Sequence, residues 1–212
     1  MIPSPLLQPE QAILLSLREQ LLARNHERNH FAMDHTDHVN LLRPANPMTG
    51  GTWADFGAGS GAFTLALREL VGPHANIYAV DKDQRALKEL EKAHRERFTT
   101  SQNIHIVRAD FSGALSLPPL DGIIMANSLH YFKDREKILR HVRSFLKLNG
   151  ALLVVEYNVD SGNMWVPYPL SFETYCTLAP RAGFSEPQLL ATIPSRFLRE
   201  FYSALTYRTS VR

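Results

Sequence analysis

Cysteine occurs once in 212 residues, at Cys176. That excludes an intrachain disulfide framework and thiolate zinc sites of paired spacing, and makes a reducing, cytoplasmic setting the expectation. Excess charge is equally scarce. Lys and Arg number 23 against 21 Asp and Glu, a net +2, too little to argue for nucleic acid or an anionic membrane as partner. Long apolar runs are missing: none approaches the ~18 residues of a membrane-spanning helix. The N-terminus, Met1-Ile2-Pro3-Ser4-Pro5, lacks the basic and apolar blocks of a signal peptide, so none is expected. What remains is an ordinary globular balance, 44% hydrophobic and 21% charged, in a length suited to one domain with at most a small appendage.

Residues 52–67 organise the rest of the chain. Thr52-Trp53-Ala54-Asp55-Phe56 reads as a buried strand, and Ala62-Phe63-Thr64-Leu65-Ala66-Leu67 opens an amphipathic helix. Between them Gly57, Gly59 and Gly61 alternate. A strand, a glycine turn and a helix N-terminus present bare backbone N–H groups and the positive end of a dipole to a polar ligand. Gly57-x-Gly59-x-x-Ala62 satisfies the dinucleotide fingerprint. Asp55, two residues before the first glycine, argues against a pyrophosphate, because like charges repel in a desolvated crevice.

From Gly51 onward, strand and helix patterns alternate. Strands are predicted at Thr52–Phe56, Asn76–Val80, Asn103–Arg108, Asp121–Ala126 and Ala151–Tyr157. Helices are predicted at Gly61–Val71, Gln84–Phe98 and Arg135–Leu148, the last stopped by Asn149-Gly150. Such alternation builds an open parallel sheet with right-handed crossovers. The tail departs from it. A helix over Ser171–Ala182 precedes two strands, Gln188–Ile193 and Tyr202–Arg208, whose short connection predicts antiparallel pairing.

Ahead of the sheet, Gln8 to Arg28 carries a helical stripe of Ile13, Leu14, Leu17, Leu21 and Leu22. His26 to His38 follows, with four histidines and two aspartates whose spacing matches no established ligand set, so no metal is assigned. Residues 1–50, closed by the Pro44–Gly51 loop, are expected to form a helical cap, and residues 51–212 the core. The cap is expected to cover the strand ends, with His30, Phe31 or His35 facing the cleft.

Asp55-x-Gly57-x-Gly59-x-Gly61 resembles the first motif of class I S-adenosylmethionine (SAM)-dependent methyltransferases. The sulphonium and ammonium of SAM suit a carboxylate there. Asp81 after the second strand sits where a carboxylate accepts both ribose hydroxyls. Arg108-Ala109-Asp110-Phe111 resembles the segment that takes the adenine amino group, and Asn127-Ser128-Leu129-His130-Tyr131 the fourth motif of small-molecule members, not the Asn/Asp-Pro-Pro-aromatic motif of amino-group methylases. The resemblance covers roughly residues 50–209. It implies a Rossmann-like, seven-stranded, mostly parallel α/β sheet with an antiparallel C-terminal hairpin strand beside the fifth. A dehydrogenase would need a further crossover and a substrate domain, for which no residues remain.

The resemblance assigns SAM to Asp55, Gly57, Ala58, Gly59, Gly61, Asp81, Lys82, Asp110, Phe111 and Asn127. His130 is the candidate general base, since imidazole changes charge near neutral pH. Glu156 and Tyr157 could orient the acceptor, and the Pro-rich loop adds Trp165, Tyr168 and Phe172; the acceptor set is His30, Phe31, His130, Tyr157, Trp165 and Tyr168. A small-molecule acceptor is expected. A protein or RNA methyltransferase, and a non-catalytic SAM- or NAD-binding module, are the alternatives.

Overall fold

The computed structural model describes residues 33–98, 103–195 and 197–210. The expected helix over Gln8–Arg28, and His30 and Phe31 with it, lie outside the described residues. The compact unit that holds the sheet begins at His35. Residues 35–50 therefore belong with the core, not with a separate cap ending at Gly50.

Seven strands form one sheet: β1 (Thr52–Phe56), β2 (Asn76–Asp81), β3 (Ile104–Arg108), β4 (Leu120–Ala126), β5 (Leu146–Tyr157), β6 (Gln188–Pro194) and β7 (Glu200–Tyr207). Their spatial order is β3-β2-β1-β4-β5-β7-β6. The first five pair in parallel, whereas β7 is antiparallel to both β5 and β6. The last strand thus inserts beside the fifth, as expected. Among the described residues five α-helices accompany the sheet: α1 (His35–Leu42), α2 (Ala62–Val71), α3 (Gln84–Arg97), α4 (Arg135–Phe145) and α5 (Phe172–Arg181).

Phe56, Ile123, Met125, Leu139, Val142, Leu152 and Val154 pack with the buried rings of Tyr175 and Tyr202 in the largest core. On the other side Ala58, Ala79, Leu87 and Leu90 lock α3 to the sheet. Burial on both faces is why β4 and β5 read as almost unbroken apolar runs. Asp83, Asp134 and Ser171 cap α3, α4 and α5 through their side-chain oxygens.

Two expectations are corrected. The fourth helix ends at Phe145, three residues before the predicted Leu148, and β5 starts at once. Leu146 is buried and pairs with Leu120, then the register jumps so that Gly122 pairs with Ala151. The Asn149-Gly150 signal marks this bulge, with Asn149 at φ +61°, and not a helix stop. The second concerns His35, which does not face the strand ends. Its Nε2 lies 2.8 Å from Glu69 Oε2, in the last turn of α2. The buried side of α1 (His38, Val39, Leu41 and Leu42) packs on α2 and β6.

Candidate functional site

The order of the strands reverses between β1 and β4, and a crevice opens over that switch point at the carboxyl ends of the strands. The turn after β1 is drawn tight by its glycines. Gly57 has φ +83°, and a Cβ there would stand 2.5 Å from Ser128 Cβ. Gly61 has φ +94°, and its Cβ would strike Leu90. Gly59 faces open space, so bare backbone is offered on the cavity side. The Gly59 N–H donates to Asp81 Oδ2 at 2.9 Å, and the Asp83 N–H to Asp81 Oδ1 at 2.8 Å. Asp81 thereby fixes the turn and keeps further lone pairs at the cavity edge.

The cavity there has a volume of about 540 Å³ and is bordered by Gly57, Gly59, Asp81, Lys82, Asp110, Phe111 and Asn127, seven of the ten residues assigned to the cofactor. Asp110 Oδ1 accepts from the Ser112 hydroxyl and N–H, at 2.6 and 2.9 Å. The Ser112 hydroxyl, then its backbone N–H, hold the Asp110 carboxyl below the usual range against the opposing effect of burial. Phe111 serves core and cavity together, since its ring stacks on Phe56 at 5.4 Å. Asn127 stands at φ +53°. Its Oδ1 and the Ser128 hydroxyl are buried and have no hydrogen-bond partner among the described residues.

Three assigned residues do not border the cavity. Ala58 and Gly61 shape the turn from below, against α3. Asp55 is 1% exposed and accepts the Thr64 hydroxyl at 2.6 Å, beneath the turn. Burial raises its carboxyl to about 7, the Thr64 bond works against that rise, and Asp81 adds to it. Ser128, Tyr131 and Phe132 do border the cavity. For the cofactor, sequence reasoning took only Asn127 from that motif. The 3-10 turn Leu129–Tyr131, which swings Tyr131 back to the cavity, carries no sequence signal of its own.

Of the acceptor candidates, His30 and Phe31 lie outside the described residues, and His130 adjoins Tyr131 at the cavity edge. His130 is 2% exposed, with Nδ1 2.8 Å from Glu156 Oε2. Its ring centroid is 6.1 Å from Tyr157 and 4.4 Å from Tyr131. The Tyr168 N–H donates to the His130 carbonyl, and Trp165, on the same loop, is largely exposed. Phe172 packs edge-on against Tyr202, as a core residue.

A mixed sheet of this strand order, with its cavity over the β1–β4 switch point, defines a Rossmann-like α/β architecture. A family model described as a methyltransferase domain matches residues 54–152. That stretch, 99 of the 212 residues, is similar to the methyltransferase domain, in keeping with the resemblance to class I SAM-dependent methyltransferases. A probable cobalt-precorrin-6B C(15)-methyltransferase (decarboxylating) of Thermoplasma volcanium is 29% identical over 106 residues, 50% of each chain. Ribosomal RNA small subunit methyltransferase C of Acinetobacter baylyi is 27% identical over 151 residues, 68% of this chain and 42% of that one. The chain thus spans about half the length of the curated relatives it matches. Among solved structures, human N-acetylserotonin methyltransferase in complex with SAM superposes with TM-score 0.62 at 20% identity, over 82% of this chain and 52% of that one.

The cavity suits SAM. Its volume is in the range of cofactor sites. Carboxylates at Asp81 and Asp110 can receive the ribose hydroxyls and the adenine amino group, and Phe111, Ala86 and Ala109 supply apolar walls. Asn127 Oδ1 can accept and the Ser128 hydroxyl can donate or accept, and neither is met among the described residues.

Proposed function

We propose that this chain moves the methyl group of SAM to a small-molecule acceptor. The observation that carries the reading is the cavity at the strand ends, where bare backbone at Gly57 and Gly59 meets the Asp81 and Asp110 carboxylates. When bound, SAM supplies an electrophilic methyl on sulphur, and the protein's share is alignment and exclusion of water. Asp81 would hold the ribose and Asp110 with Phe111 the adenine, with Lys82 at the rim. Asp55 would act through the turn above it. His130 would be the general base, with Tyr157, Tyr168 and Trp165 around the acceptor.

A small acceptor is favoured by the state of the surface cations. Arg140 and Arg181 are both paired to Glu136, and Arg143 is bonded to the carbonyls of Gly183 and Thr209. Those guanidinium groups are tied to partners within the protein, which leaves them less free to follow a phosphate backbone. The likeness to a ribosomal RNA methyltransferase keeps RNA as the second reading.

Calorimetric titration with SAM tests the cofactor site. Asp81→Ala should weaken binding by about 1.5–3 kcal/mol, the loss expected for charge-assisted hydrogen bonds, and Asp81→Asn should cost less. Unchanged affinity in a folded Asp81→Ala protein would refute the ribose assignment. Release of S-adenosylhomocysteine that depends on added protein-free ribosomal RNA, and is abolished by ribonuclease, would replace the small-molecule reading by the RNA one.

A further inference from the structure

At the end of β5, strand alternation turns Glu156 and Tyr157 to opposite faces. Glu156 is 0% exposed. Its Oε1 accepts the N–H groups of Leu129 and His130, each at 3.1 Å, and its Oε2 lies 2.8 Å from His130 Nδ1. A buried carboxylate is costly unless its lone pairs are met, and here the β4 loop meets them. The bond to Nδ1 sets the tautomer: Nδ1 carries hydrogen, and Nε2 keeps the lone pair. A histidine oriented by a third group has the geometry of a prepared base.

The rings around His130 describe what it would act upon. Tyr131 borders the cofactor cavity, lies 4.4 Å from the imidazole and is 61% exposed. Tyr157 follows at 6.1 Å and is itself packed against Phe201 at 4.2 Å and Phe197 at 5.9 Å. Phe197 is 50% exposed. Ring surfaces therefore run from the cofactor cavity past the imidazole to water. Burial, then Glu156 and Tyr131, push the Tyr157 phenol up, so Tyr157 keeps its proton and is no base near neutral pH. The proton acceptor in this group is the imidazole.

We propose that the acceptor is a planar aromatic alcohol, and that Glu156 is the positioning residue that holds His130 to take its proton. The proposal rests on the methyl-transfer reading and names its substrate class. Flat rings match the exposed faces of Tyr131 and Phe197, which offer offset or edge-on ring contacts. A neutral arylamine has its lone pair ready and has no need of a base, whereas a hydroxyl gains from one. In the step, a hydroxyl oxygen lone pair attacks the methyl carbon. The O–CH3 bond forms as the S–CH3 bond breaks, and its electron pair goes to sulphur, giving neutral S-adenosylhomocysteine. The hydroxyl proton passes to His130 Nε2 and then to water.

Three probes of one shape test the substrate class with SAM present: 2-naphthol, 2-naphthylamine and decahydro-2-naphthol. Release of S-adenosylhomocysteine should be at least tenfold faster, in kcat/KM, with 2-naphthol than with either of the others. Equal or faster turnover of the amine or the saturated alcohol would overturn the proposal while leaving methyl transfer intact, as would SAM binding without turnover of 2-naphthol. Failure of SAM to bind would instead remove the underlying reading, and this one with it. Glu156→Gln tests positioning against a mere structural tie, using 2-naphthol and 4-nitrophenol, the latter already largely ionised at pH 8. Loss should be about a hundredfold or more for 2-naphthol and under tenfold for 4-nitrophenol. Equal losses on the two would mean that Glu156 only holds the fold. His130→Asn, whose amide can still donate to Glu156, should give the same split and serves if Glu156→Gln does not fold.

Discussion

Asp55 and Asp81 show how two carboxylates at strand ends come to differ. Asp81 ends β2 at the cavity edge, whereas Asp55 points inward to Thr64 and is sealed beneath the glycine turn. Burial lifts the Asp55 carboxyl from 3.8 to about 7. Because the folded state holds the proton to higher pH than the unfolded chain, the contribution of Asp55 to stability is full below about pH 4 and is lost as pH rises toward 7. The upper bound of that loss is about 4 kcal/mol. Asp55→Asn removes the titration, so its midpoint relative to wild type should become more favourable between pH 5 and pH 8. Thermal unfolding of both apo proteins checks this, and a difference that does not change with pH would contradict the buried-carboxyl account. Both aspartates were legible in the sequence as strand-end carboxylates. Their opposite directions were not, because direction depends on the turn above them.

At the scale of elements, α1 illustrates a misplaced boundary. The Pro44–Gly51 loop was expected to close the cap, yet α1 buries Val39, Leu41 and Leu42 against its neighbours and joins the core through His35 and Glu69. Three such side chains contribute several kcal/mol together, at roughly 1.5–3 kcal/mol each. Truncation to His35 should therefore leave a core that binds SAM within about tenfold of the full chain, ~1.4 kcal/mol. Truncation to Pro44 should lower the unfolding midpoint sharply. Differential scanning calorimetry and SAM titration of the two truncations decide the point, and equal stability would show that α1 is dispensable. The α4–β5 junction teaches the same lesson. Asn149-Gly150 was read as a helix stop because local propensity cannot see that Leu146 pairs with Leu120.

For the molecule as a whole, ligand linkage is the direct readout. SAM at 100 times its Kd should stabilise the fold by about 2.7 kcal/mol, which for a domain of this size raises the midpoint by roughly 5–11 °C. NAD at the same concentration should leave it unmoved, and a comparable shift with NAD would restore the dinucleotide reading. The sequence by itself determined the alternating α/β plan, the antiparallel close and the glycine turn, because periodicity, turn chemistry and glycine's freedom at positive φ are local properties. It also placed Asp81, Asp110 and Asn127 at strand ends, since a strand's last residue faces the crevice wherever the sheet is parallel. Only the tertiary structure brought Glu156 to His130, 26 residues away, and turned Tyr131 toward both the cavity and the imidazole. It also sank Asp55 beneath the turn. Those relations come from the adjacency of β4 and β5 and from which face of each strand is covered, and no local pattern encodes either.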